Sequence, residues 1–242
     1  MSDLRIDYSD LTGLVDEGVR ESKRKEEQRA RVRSMPMRAA SHGALLLALA
    51  ILPFAVLIRG GVFAYRAWSL GTWPALLLSA LATGLVLAGY GWFVSRRFGA
   101  RPRVRRLVTR VAIGVGFAYV AWALVFVASE NVKSDDVRAE YAQVHPLLRI
   151  AASALILVDP SAVITDAGRT TEDYFLMGLP PNEASLHFEQ ETGYVHALDL
   201  RTSGRSELRN RAVELGFWML GFHSLRHVGT ADHLHLSLRL PG

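Results

Sequence analysis

The sequence predicts an α+β protein: three transmembrane α-helices followed by a small extracytoplasmic α+β domain with an antiparallel sheet. Three observations lead there. Residues 43–58, 73–94 and 111–128 hold no charged side chain, and each is about long enough to cross a hydrocarbon core of about 30 Å as a helix. The arginines are distributed unevenly around these runs. Beyond residue 136, helical and alternating apolar patterns succeed one another. A chain of 242 residues that is 50% hydrophobic, with such runs, is not a purely soluble enzyme.

The first apolar run begins near residue 40 and a second span follows it, so it reads as retained rather than cleaved. Orientation follows from basic residues near the spans, which tend to stay cytoplasmic. Arg20, Lys23, Arg24, Lys25, Arg29, Arg31, Arg33 and Arg38 precede the first span, and Arg96, Arg97, Arg101, Arg103, Arg105, Arg106 and Arg110 lie between the second and third with no acid among them. The loop near Arg59 and Arg66 is poorer. The expected arrangement is a cytoplasmic charged segment at 1–41, a three-helix membrane region at 42–129, and an extracytoplasmic domain at 130–242. In a bacterium this is a multi-pass inner-membrane protein with a periplasmic C-terminal domain. Tyr65, Trp68, Trp73, Tyr90 and Trp92 suit an interfacial aromatic belt. Leu4, Leu11, Leu14, Val15 and Val19 form a loose helical stripe in the first segment.

Residues 111–242 carry 10 basic and 15 acidic side chains, so the positive charge belongs to the membrane flanks. That argues against a nucleic-acid partner and for contact with a lipid bilayer. No ionisable residue lies mid-span, which leaves a transport path nothing to run on. Ala80, Gly84 and Ala88, and Ala112 with Gly116, give helix faces that permit close approach, either among the chain's own helices or to a larger membrane protein complex.

In the C-terminal part, a charged linker over 130–136 leads to a helix over 137–158, broken at Asp159-Pro160. A short strand at Ala162–Thr165 follows, then a long irregular loop over 166–184. Next come a strand over Tyr194–Leu200, a helix from Ser206 to Leu215 closed by Gly216, and a final strand from His233 to Leu240. With no cysteine, any metal must rest on His, Asp or Glu. Seven of the eight histidines lie beyond residue 130: His145, His187, His196, His223, His227, His233 and His235. In His233-Leu234-His235-Leu236-Ser237-Leu238, alternation sends both imidazoles to one face and three leucines to the other.

Several stretches in this order resemble a known family: Ser185-Leu186-His187-Phe188-Glu189, Ala197-Leu198-Asp199-Leu200, Thr202-Ser203, Arg205, Ala212 to Trp218, and His233-Leu234-His235-Leu236-Ser237. The family is the zinc-binding fold shared by D-alanyl-D-alanine carboxypeptidases and the hedgehog signalling domain, and the resemblance covers about residues 140–240. It implies zinc on His187, Asp199 and His235, and a substrate carboxylate held by Arg169. His187 and Asp199 are twelve positions apart, wider than the family spacing, and this keeps His196 open as an alternative ligand. Where the peptidases place a glutamate as general base, this chain offers Asp232, shorter by one methylene. His233, or another nearby histidine, is the candidate to orient a ligand or stabilise an oxyanion. Arg169 has a second candidate role, an ion pair with Asp166 or Glu172. The activity implied is that of a membrane-anchored zinc D,D-carboxypeptidase or related protein acting on or binding cell-wall peptides. The alternative is a catalytically degenerate accessory or scaffolding subunit of a larger membrane complex, for example a respiratory or photosynthetic one.

Overall fold

The computed structural model describes residues 23–24, 43–97, 99, 101–178, 180–182, 184–229 and 232–242. Residues 52–242 form one unit and residues 1–51 another, described only at 23–24 and in the first turns of a helix. The apolar stripe near the N-terminus and most of the expected cytoplasmic segment lie outside the described residues.

Three helices are long and apolar enough to cross a membrane: α1 (Gly43–Ala67), α2 (Thr72–Arg97) and α3 (Pro102–Val125). Their bounds differ from those of the charge-free stretches, and α3 stops at Val125. Arg59 and Arg66 continue α1, and α3 starts at Pro102, well ahead of its apolar run. Arginine is a good helix former, and proline at the first helical position loses no hydrogen bond, so the charged flanks coil with the spans. Gly91 brings α2 against α3: a methyl there would meet Thr109 Oγ1 at 2.5 Å. Gly116 packs on Leu87, while Gly84 faces open space.

A short turn at Ser129–Asn131 leads out of the membrane helices. Its Asn131 Nδ2 donates to the carbonyls of Pro160 and Ala162 at 2.8 and 2.9 Å, and Lys133 N donates to Ile164 O at 2.8 Å. The expected single helix over 137–158 is two, α4 (Asp135–Tyr141) and α5 (Pro146–Val158). Apolar spacing runs through the join, but the Pro146 ring has no N–H and crowds the preceding turn, so the chain restarts there. The expected irregular loop contains a short helix α6 (Thr171–Leu176), opened by a capping box between Thr170 and Asp173. Helix α7 (Glu207–Leu220) passes through Gly216 and ends at Gly221, whose φ of 96° provides the left-handed closure.

The sheet is antiparallel throughout, in the order β1-β2-β4-β3, with β1 (Ile164–Asp166), β2 (Ala197–Arg201), β3 (His223–His227) and β4 (His233–Ser237). Strand β3 was not expected. The register pairs Asp199 with His235 and Leu225 with His235 across β4. Because cross-strand partners share a face, Asp199, His235 and Leu225 lie together, as do His233 and His227. Leu198, Leu200, Leu234 and Leu236 turn the other way and are buried. Their core continues through Leu147, Leu148 and Ile150 of α5 to Leu57, Ile58 and Val62 of α1, so the membrane helices and the sheet share one apolar interior. At the sheet's rim, the Asp159 carboxylate that ends α5 is clasped by Arg205 and Arg209.

Candidate metal centre

Three of the expected residues meet. His187 Nε2 lies 3.2 Å from His235 Nδ1, His235 Nδ1 lies 2.9 Å from Asp199 Oδ1, and His187 Nε2 lies 3.4 Å from the same oxygen. Ligand atoms of a tetrahedral zinc with bonds of about 2.0–2.1 Å sit roughly 3.3 Å apart. The triangle therefore has the dimensions of one face of such a site, and two imidazoles with one carboxylate leave a fourth position open, as catalytic sites do. The group fits a divalent metal ion.

The chain fixes each ligand. His235 and Asp199 are cross-strand partners on β4 and β2. His187 arrives from the loop ahead of β2, and its Nδ1–H donates to Ala167 O at 2.6 Å. Since a carbonyl only accepts, this leaves the Nε2 lone pair aimed into the triangle, the outer hydrogen bond typical of metal-binding histidines. The main chain of His187 is held in turn by Arg169 N–H donating to His187 O at 2.9 Å. His187 and Asp199 are almost fully buried, while His235 is partly open. The twelve-residue gap is absorbed by turns between residues 188 and 196, where Gly193 adopts a φ of 75°.

Burial opposes the charge on Asp199, but the two imidazoles beside it, which turn protons towards it when no metal takes their lone pairs, outweigh burial and hold its pKa well below the usual carboxylate range. Its outer oxygen, Oδ2, faces Arg169 Nη2 at 3.5 Å and His233 Nε2 at 3.6 Å. Arg169 is committed first to Asp166, with Nε at 2.7 Å from Oδ2 and Nη2 on the same oxygen. The ion pair with Asp166 is thus formed, and the guanidinium also neutralises Asp199 from behind. Its Cζ lies 5.9 Å from the centre of the Tyr174 ring, which stacks on Phe188.

The other candidates separate. His196 is not a ligand of the triangle: its Nδ1–H donates to Leu238 O at 3.1 Å, leaving Nε2 to accept from Thr192 Oγ1 at 2.8 Å. It stacks edge-on against His145, at 4.9 Å between ring centres. Asp232 is taken by Arg226, at 3.1 and 2.9 Å, and by Thr202 Oγ1 at 2.5 Å. Arg226 and Thr202 together hold it below its ordinary range. His233 stacks on His227 with ring centres 4.7 Å apart.

Two participants were not read from the sequence. His227 comes from the unexpected strand β3, and only its two-residue spacing from His223 and Leu225, which places all three on one face, could have marked it. Glu140 of α4 lies against Gly168 and bonds the Ala167 backbone, the residue whose carbonyl holds His187. Burial, with Asp166 and Asp173 nearby, pushes its carboxyl up to about 6.

No family model, curated protein or solved structure matches the chain.

Proposed function

We propose that this is a membrane-anchored zinc D,D-carboxypeptidase-like hydrolase whose C-terminal domain works on cell-wall peptides at the periplasmic face of a bacterial inner membrane. The observation that carries the reading is the triangle of His187, Asp199 and His235, with its edges of 2.9–3.4 Å and the Ala167 carbonyl selecting the ligating nitrogen of His187. The order of the motifs around it resembles the carboxypeptidase and hedgehog fold, and the arginine asymmetry supports an extracytoplasmic domain.

A zinc ion held there by His187, Asp199 and His235 would supply Lewis acidity and make a bound water acidic near neutral pH. The chain's own residues do the rest. Asp199 would balance part of that ion's charge, and Arg169 steadies Asp199. His233, beside Asp199 and partly exposed, is the group in place to carry a proton or to face an oxyanion. With its Nε and Nη2 on Asp166, Arg169 offers a substrate carboxylate only its remaining N–H groups.

A second reading, a catalytically degenerate accessory subunit of a larger membrane complex, is favoured by one observation: both oxygens of Asp232, the base expected from the sequence, are already engaged. One experiment separates the two. Full-length protein purified in detergent is expected to carry one zinc per chain and to release D-alanine from muropeptides, and His235→Ala to lose both. Bound metal without cleavage would leave the accessory reading, and absence of metal would overturn both the site and the hydrolase.

A further inference from the structure

Helix α7 changes character along its length rather than around its circumference. Its first eight residues include Glu207, Arg209, Asn210, Arg211 and Glu214, whereas Leu215-Gly216-Phe217-Trp218-Met219-Leu220 holds no polar side chain. Phe217 turns into the core beside Phe222, but Leu215, Trp218 and Met219 stay 55–66% exposed. Such a helix has no water-facing side at its far end.

Where that end lies is given by α1. A side chain built on Gly221 would collide with the Arg59 guanidinium and touch Val62, so the last turn of α7 abuts α1 just where its charge-free run gives way to Arg59. A guanidinium on a spanning helix keeps to headgroup depth, and here it also meets the negative end of the α7 dipole. Trp218, three residues before Gly221, is of the side-chain type most at home in that layer. We propose that the last turn and a half of α7 lies in the bilayer interface, a second, non-spanning contact between the domain and the lipid.

The contact has an orientational consequence. Ser224 Oγ donates to Glu214 O at 3.4 Å, so α7 covers the sheet face that carries Ser224, Leu234 and Leu236. Asp199, His235 and Leu225 occupy the opposite face. With α7 on the lipid, the metal group turns to water, which suits a soluble or wall-bound ligand and not a lipid. This consequence rests on the reading of the triangle as the working site; the α7 contact itself does not.

The chain has no cysteine, so single-cysteine variants of the full-length protein carry one nitroxide each. In vesicles of phosphatidylethanolamine and phosphatidylglycerol, labels at Leu215→Cys, Trp218→Cys and Met219→Cys are expected to show an oxygen-to-nickel-chelate collision ratio several-fold above that of Leu208→Cys, on the polar half, and Leu225→Cys, on the histidine face. Leu208 and Leu225 are exposed leucines too, which makes hydrophobicity alone an insufficient cause. Equal ratios at all five positions would overturn the proposal. So would suppressed collisions with both reagents at 218 and 219, which would mean that a protein, a second copy or another subunit, covers the patch. Neither outcome depends on metal, so a failed hydrolase reading would not be mistaken for a failed contact.

Discussion

The C-terminal domain holds two histidine pairs that differ in one respect. In the inner pair, His145 and His196, each ring nitrogen has a protein partner. His145 Nδ1 accepts from Leu147 N at 3.2 Å, which leaves Nε2–H for Thr72 Oγ1 at 3.0 Å, and His196 is closed by Leu238 and Thr192. In the pair formed by His187 and His235, one nitrogen of each ring faces the other across a shared carboxylate at 2.9–3.4 Å. Both pairs are wholly or largely sheltered from water. Burial alone therefore does not make a histidine a ligand; what counts is whether the fold leaves lone pairs converging. The inner pair is a mortar joint between α2, α5 and β2, with Tyr65 of α1 laid edge-on against His145. Tyr65, expected in the interfacial belt, is buried for that reason.

Removing the shared carboxylate should have the largest effect. Asp199→Ala is expected to abolish stoichiometric metal in elemental analysis. It should also lower stability by about 3 kcal/mol, as loss of one partner of a buried charge network does, read as a lower unfolding midpoint in detergent. A variant that kept its metal would show that the triangle is not the site. His145→Ala should sharpen the contrast from the other side. It leaves Leu147 N and Thr72 Oγ1 without their partner and opens a cavity, at a cost of about 2–3 kcal/mol. Metal content should stay at the wild-type value.

The smallest effect is in pH. Burial, with His196 close by, pushes the His145 imidazole down to about 3 from its ordinary 6.5. The unfolded chain thus takes up a proton below about pH 6.5 that the folded chain refuses. Stability is unaffected above that pH and falls as pH drops towards 3, by about 1.4 kcal/mol per unit once the unfolded imidazole is charged. Glu140, raised to about 6 from 4.5, works in the opposite sense between those values. The readout is accordingly the difference between wild type and His145→Ala in melts at pH 7.5 and 5.5: the gap should narrow at the lower pH. A constant gap would mean that His145 is charged in the folded state.

The sequence made the spans and the closing strand legible because charge-free length and strict alternation are local signals. It did not show where α5 begins, because apolar spacing continues through Pro146 while the ring's steric effect does not depend on hydrophobicity. Helix α7 outran its expected end because Phe217 gains burial that offsets the cost of Gly216 in mid-helix. Strand β3, His-Ser-Leu-Arg-His, has no β-branched residue and takes its form from pairing with β4. At the site, His187, Asp199 and His235 were singled out by motif order; the register brings Asp199 to His235, and the Ala167 carbonyl holds the loop residue His187 against them. Asp232 could not be judged from sequence, since its partners Arg226 and Thr202 lie 6 and 30 positions away.

Asn131 has a mechanical consequence. A domain on a loose leash sweeps a volume above its anchor, but here the segment leaving α3 is sewn to the sheet within a few residues, through two carbonyls held by one amide and a main-chain bond to Ile164. The separation of the sheet from the end of α3 is then set by three hydrogen bonds and a few residues of chain, so the metal group keeps a fixed distance from the helix that anchors it.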